Sequence, residues 1–251
     1  MATIGQIRGM LLEEAVLHLL TRAGYNTVDK PGTDKTLTRG PAGLEVKGRG
    51  CDHQIDAIAD FAVVPPFVRP QRLLVEAKCY SKRVGVDVIR NAVGVLKDVS
   101  EYFLPVRKSV ASRYHYQYAV FSATDFSEPA QSYAFAQDIY LLPLAQSAFL
   151  QPLLRSIEDT NADDFGRQES PNGDIAGVNL SQLRSHIRSA LRESYLLDAS
   201  TRESPSLNAF LKASQTLEAG LVGMIARRFP VFLVSAGDVR VETLELSLIH
   251  I

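Results

Sequence analysis

Apolar positions first recur at helical spacing. Between residues 5 and 23, Leu12, Val16, Leu19, Leu20 and Ala23 form one stripe, and Gly24 is placed to end the helix. Residues 26–42 lack a period and contain the breakers Pro31-Gly32 and Gly40-Pro41, which predicts a loop. Leu44–Lys47 and Ile55–Val64 then alternate or run apolar as strands, and Pro65-Pro66 closes the second because proline cannot donate to a ladder. Leu73–Cys79 reads as a third strand. Helical spacing returns over 86–103, followed by a buried strand at 116–123, a helix at 128–137 and a strand at 139–144. Strands alternating with helices predict a mixed α/β sheet flanked by helices.

The pattern changes after residue 157. Residues 158–176 carry Asp159, Asn161, Asp163, Asp164, Gly166, Ser170, Pro171, Asn172, Gly173 and Asp174, the composition of a linker or exposed loop. The chain is therefore divided into 1–157, a linker at 158–176, and a 177–251 appendage serving oligomerisation or partner docking. Within that appendage, 178–197 and 205–228 are expected to be helical. Val231–Val234 and Val239–Leu248 are expected to form a hairpin around Ala236-Gly237-Asp238.

Two apolar strands are interrupted by acids. Asp56 follows Ile55 and precedes Ala57-Ile58; Glu76 breaks the run Leu73-Leu74-Val75 and is followed at i+2 by Lys78. Residues at i and i+2 emerge on one face of a strand, so Glu76 and Lys78 converge. A carboxylate inside an apolar strand is costly unless it is paired or binds a metal. Two hard carboxylates suit Mg²⁺, and an adjacent ammonium can position an attacking water, which is the chemistry of phosphodiester hydrolysis. The competing reading is a solvated acid and lysine at a strand end. A second triplet, Glu45-Val46-Lys47 with Asp34 upstream, has acceptable spacing but a weaker strand core and an acid in a loop.

Asp56, nineteen residues, then Glu76-x-Lys78 resembles the PD-(D/E)xK nuclease signature in its Mrr-like restriction-endonuclease form. The order of a helix ending in Gly24-Tyr25, the two strands, and then Tyr118–Ser127 resembles the same core, over roughly residues 5–145. The proline of the signature is absent, Ile55 standing before Asp56. The resemblance implies a restriction-endonuclease-like fold and a Mg²⁺-dependent endonuclease, with Mn²⁺ able to substitute. Asp56 and Glu76 would bind metal and Lys78 would assist the water. It also implies a helix acid twelve residues before Tyr25, which is Glu13; Glu14 rotates further toward solvent.

The net charge of −1 conceals an uneven distribution: residues 30–113 hold fifteen Lys/Arg against nine Asp/Glu. Local positive charge is what binds phosphates. Lys47, Arg49, His53, Gln54, Lys82, Arg83, Arg90 and Asn91 are the candidate DNA contacts. Residues 146–251 carry ten Lys/Arg and thirteen Asp/Glu, which disfavours a second DNA surface there. The two cysteines, Cys51 and Cys79, show no zinc-ligand spacing and read as free thiols in a reducing cytoplasm. No signal peptide and no membrane span is expected.

The expected activity is DNA cleavage by a homodimer or higher oligomer, in defence against foreign DNA. Two alternatives stand beside it: a repair or junction-resolving nuclease, and a non-catalytic DNA-binding or assembly module.

Overall fold

The computed structural model describes residues 2–41, 43–62, 64, 66–102, 114–166, 174–175, 177–193, 204–216, 221–223 and 233–235. Strand β1 (Ala2–Thr3) leads into helix α1 (Ile4–Arg22) through a capping box. Thr3 Oγ1 accepts from the Gln6 N–H and Gln6 Oε1 accepts from the Thr3 N–H, satisfying two donors at the helix start. Gly24, at φ +87°, ends the helix in the left-handed conformation that glycine adopts without strain.

The expected 26–42 loop contains two strands, β2 (Tyr25–Val28) and β3 (Leu37–Arg39). Both are short and carry partly exposed residues, so neither presents an apolar run to a sequence reader. Strand β4 (Leu44–Lys47) follows as expected, but pairs in a small sheet of order β3-β4-β5, where β5 is Asp52–Gln54. The strand expected at 55–64 is shortened to β6 (Ala57–Phe61) in the main sheet, while β5, just before it, belongs to the small sheet, with Ile55-Asp56 as the crossing point.

The main sheet continues with β7 (Gln71–Lys78), helix α2 (Val86–Ser100), β8 (His115–Ser122), helix α3 (Glu128–Ala136) and β9 (Ile139–Pro143). Its order is β2-β6-β7-β8-β9, antiparallel from β2 to β7 and parallel from β7 to β9. The parallel pairs are connected through α2 and α3, as parallel crossovers require. Alternation along β7 sends Leu73, Val75 and Ala77 to one core and Leu74 to the other. The first core lies under α1; the second lies under α2, α3 and the small sheet. This is the mixed α/β sheet flanked by helices that the periodicity predicts.

Helix α4 (Gln151–Asp159) was not expected; its apolar positions Leu153, Leu154 and Ile157 are too few to stand out from the preceding strand. A 3₁₀ turn at Ala162–Phe165 and the strand β10 (Asp174–Ile175), paired antiparallel with β1, lie in the 158–176 segment. Beyond it come helices α5 (Leu180–Glu193) and α6 (Pro205–Thr216). Ile187, Leu207 and Phe210 from these helices are fully buried in the same core as α1 and α4. The helix expected over 205–228 ends at Thr216, and β11 (Leu221–Gly223) pairs with β12 (Leu233–Ser235). The strand expected at 239–248 lies outside the described residues.

One buried cation joins the two sheets. Arg72 on β7, 1% exposed, forms a two-pronged bond to Asp60, an ion pair with Asp34 at 2.8 Å and a bond to Thr36 Oγ1, and its guanidinium stacks 3.6 Å from the Tyr114 ring centre. Burial acts against its charge, but the Asp60 and Asp34 carboxylates outweigh it and raise its pKa.

Candidate active site

The site begins where β6 parts from β7. The last pair of that ladder is Ala57 with Val75; the backbone then turns toward the small sheet, and Asp56 Oδ2 accepts the Ala77 N–H at 2.8 Å in place of a strand partner. A side chain thus satisfies a backbone donor that the departing strand leaves behind. Asp56 is held beside Glu76 and Lys78, both of which act on its charge.

Glu76 is gripped at both oxygens. Lys78 Nζ lies 2.6 Å from Oε1, and the buried Tyr118 hydroxyl donates to Oε2 at 2.9 Å. The expected convergence of Glu76 and Lys78 is present. Tyr118 was not singled out in the sequence; its position follows from β7–β8 pairing, which places it opposite Leu74 on the face shared with Glu76. Burial, followed by the Glu76 charge, pushes the Tyr118 pKa up and keeps its proton on the donor side. Burial opposes the Lys78 charge, but the hydrogen bond and charge of Glu76 win and raise the pKa of the ammonium.

Helix α1 contributes two acids in different settings. Glu13 Oε2 meets Arg184 of α5 at 2.6 Å and lies close enough to Asp56 to feel its charge. Burial pushes the Glu13 carboxyl up, with Arg184 lowering it and Asp56 raising it further. Asp56 is likewise raised, chiefly by burial, against the lowering effects of the Ala77 N–H and Lys78. Glu14 differs from expectation: it is 1% exposed rather than solvent-facing, because α5 covers that side of α1 and Arg188 grips it with two bonds of 2.7 and 2.5 Å. Arg184 and Arg188 carry no legible signal in sequence. They stand on a polar helix face, and only the packing of α5 on α1 gives them a role.

Glu13, Gln54, Asp56, Lys30, Arg39 and Arg184 share the walls of an open cavity of about 500 Å³. Three carboxylates and four cations, Asp29 and Arg188 included, on one concave surface suit a phosphate-bearing ligand with a hard divalent cation. Asp56, Glu76 and Glu13 offer the oxygen donors that such a cation takes, with Glu13 and Asp56 on the cavity wall and Glu76 behind Asp56.

The remaining candidate contacts fall into groups. Lys82, Arg83, Arg90 and Asn91 are exposed just beyond β7 and on α2, with the Arg90 guanidinium 6.0 Å from the Tyr133 ring centre. Lys47 is half-buried on β4 opposite Asp52. Arg49 is exposed and ion-paired to Glu101 at 2.7 Å, while His53 is bonded to Asp98 at 2.8 Å. The second triplet does not assemble in this way. Asp34 is engaged by Arg72 and Thr36, whereas Glu45 packs at the Gly40 turn of the small sheet.

The profile of the Mrr_cat restriction endonuclease family matches residues 4–147, and the chain belongs to that family. None of the curated proteins matches the chain. Among solved structures, AF1548, a protein of unknown function, aligns with a TM-score of 0.42 at 18% identity over 83% of this chain and 97% of its own. The DNA modification-dependent restriction endonuclease AspBHI aligns with a TM-score of 0.32 at 14% identity over 86% of this chain, which spans 41% of AspBHI. Restriction endonucleases cut DNA and usually use a divalent metal, which agrees with the resemblance carried by Asp56, Glu76 and Lys78. Among the described residues no helix is long and apolar enough to cross a membrane.

Proposed function

We propose that this chain is a Mg²⁺-dependent DNA endonuclease, acting in defence against foreign DNA. The observation that supports it is the gathering of Asp56, Glu76 and Lys78 where β6 and β7 diverge, with Glu13 near Asp56 on the wall of an open cavity of mixed charge. Asp56 and Glu76, with Glu13 beside them, would hold the divalent cation, which when bound supplies Lewis-acid polarisation of the scissile phosphate.

The chain's own groups do the rest. Lys78, fixed by Glu76, holds the attacking water and offsets the negative charge that grows on the phosphate. Tyr118 keeps Glu76 from rotating away. Arg184, on the cavity wall, binds a flanking phosphate oxygen. Water adds to phosphorus as the bond to the 3′ oxygen breaks; that oxygen leaves with a proton, giving a 5′-phosphate and a 3′-hydroxyl. One such site cuts one strand, so a duplex break calls for a homodimer or higher oligomer.

The test is cleavage of supercoiled, linear, methylated and branched DNA with Mg²⁺, Mn²⁺ or excess EDTA. Metal-dependent cutting of linear and supercoiled duplex is expected. Full activity in EDTA refutes the mechanism, and activity confined to branched DNA makes the chain a junction-resolving nuclease instead.

A further inference from the structure

Cys51, His53 and Asp98 form a second constellation, assembled from three places. Cys51 ends the turn after β4, His53 lies at the middle of β5, and Asp98 stands near the end of α2. Their ligand atoms, one sulfur, one nitrogen and one oxygen, all lie within 4.8 Å of one another. Nε2 of His53 is 2.8 Å from Asp98 Oδ2 and 3.6 Å from Cys51 Sγ.

The carboxylate is fixed from behind. The N–H groups of Gly50 and Cys51 donate to Asp98 Oδ1 and Oδ2 at 2.9 and 3.3 Å, and the Arg49 N–H donates to the Asp98 carbonyl. A side chain on Gly48 would collide with Asp98 Oδ2, so the close approach of turn to helix needs glycine there. These bonds orient a ligand in the manner of an outer coordination shell.

The arrangement is not that of a cysteine nucleophile. A nucleophile–base–orienter line puts the thiol on one ring nitrogen and the carboxylate on the other. Here the carboxylate takes Nε2, and Sγ stands beside the ring at 3.6 Å from Nε2 and 4.0 Å from Nδ1, so the thiol and the carboxylate do not occupy opposite nitrogens. Three donors of different softness around one point make a chelate instead.

We propose that Cys51, His53 and Asp98 bind a Zn²⁺-class transition metal, with water completing the coordination at the exposed Cys51 side. Zinc bond lengths of about 2.3 Å to sulfur and 2.0–2.1 Å to nitrogen give a tetrahedral S···N edge of roughly 3.5–3.6 Å. The observed 3.6 Å has the length of that edge, and because Sγ also lies 4.0 Å from Nδ1, the Cys51 side chain turns toward the Nε2 lone pair as the metal enters. The N···O edge of such a site is about 3.3 Å. His53 and Asp98 therefore part slightly as the metal replaces their hydrogen bond. The thiolate and imidazole select Zn²⁺ or Co²⁺ over Mg²⁺ and Ca²⁺, which prefer oxygen. The site thus differs in chemistry from the carboxylates at β6 and β7, and does not depend on the nuclease reading. Occupied, it pins the β4–β5 turn to α2.

The full chain, reduced and stripped with a chelator, is titrated with Co²⁺ and then Zn²⁺. One equivalent of Co²⁺ should produce a thiolate-to-cobalt charge-transfer band in the near ultraviolet, bleached by one equivalent of Zn²⁺ and not by excess Mg²⁺. Cys51→Ser should abolish the band. His53→Ala should weaken affinity beyond the roughly 10–100-fold loss of an outer-shell partner. Cys79→Ser and Asp56→Ala should retain the band, which separates this site from the other thiol and from the nuclease carboxylates. Zn²⁺ should also raise the unfolding temperature of the wild type and of neither Cys51→Ser nor His53→Ala. Absence of the band in the wild type, its persistence in Cys51→Ser, or its loss in Cys79→Ser overturns the assignment.

Discussion

Arg184 Nη2 lies 2.6 Å from Glu13 Oε2, so a helix from the last third of the chain places a cation against a carboxylate of the candidate nuclease site. Burial pushes the Glu13 carboxyl up and Arg184 pulls it down. Removing the guanidinium leaves burial and the Asp56 charge unopposed, and the Glu13 pKa rises further. A ligand must be ionised to bind a cation, so the acid limb of cleavage in Arg184→Ala should move to higher pH. Arg184→Lys should restore part of the shift. The pH profile of kcat/KM measures it; an acid limb that stays in place in Arg184→Ala sinks this account.

Asp56→Ala and Glu76→Ala should each abolish cleavage by removing a metal ligand. Lys78→Ala should lower it by about 10²–10⁴-fold, the usual worth of a positioned acid–base or charge-stabilising group, while Mg²⁺ affinity by calorimetry stays near wild type. Glu45→Ala should cut at close to the wild-type rate, since Glu45 sits in the small sheet at the Gly40 turn. Wild-type cutting by Asp56→Ala, or its loss in Glu45→Ala alone, would transfer the site to the other triplet.

Asp56→Asn should stabilise the metal-free protein at neutral pH. Burial raises the folded-state pKa of Asp56. A raised carboxyl favours folding below its unfolded pKa, and that contribution is lost as pH rises through the folded value. At neutral pH the ionised group opposes folding, and the amide removes that cost while its oxygen can still accept the Ala77 N–H. The gain in Tm should vanish on acidification, and saturating Mg²⁺ should reverse it by binding the wild type alone. An equal Tm gain at acid and neutral pH would point to packing instead of charge.

What the sequence disclosed follows from range. Helix α1, the β7 strand and the α2–β8–α3–β9 series were legible because each carries its own apolar period and is bounded by glycine, proline or a cap. The pairing of Glu76 with Lys78 was legible because it is an i, i+2 relation. Tyr118, Arg184, Arg188 and the partnership of Asp98 with His53 depend on strand register or helix docking between distant segments, which no local period encodes. Strand β5 was hidden for a related reason: Asp52–Gln54 is short and polar, and only its pairing with β4 in a second sheet makes it a strand.

Arg72→Met should cost about 3–5 kcal/mol of stability, the usual result of removing one partner from a buried ion network. Arg72 is 1% exposed, and its loss leaves Asp34 and Asp60 without their shared cation. Arg72→Lys should rescue little, because an ammonium cannot reproduce the two-pronged bond to Asp60 or the stacking on Tyr114. Urea unfolding measures the change. A loss below about 1 kcal/mol, the worth of a surface pair, would mean that solvent reaches the network.

DNA affinity should fall linearly in log–log form with salt, and the slope should report which cations meet phosphates. Lys82 and Arg83 are exposed beyond β7, so each alanine substitution should flatten the slope by about 0.9, the release expected for one phosphate contact on duplex DNA. Arg49 is exposed too, but spends its charge on Glu101 at 2.7 Å. Glu101 keeps its second partner, Lys97 at 3.2 Å, when Arg49 is removed, so Arg49→Ala should flatten the slope by less than Lys82→Ala or Arg83→Ala. Fluorescence anisotropy on a labelled duplex, with Ca²⁺ in place of Mg²⁺ to limit cutting, gives both quantities. Slopes in Lys82→Ala and Arg83→Ala equal to wild type would remove the segment after β7 from the DNA interface.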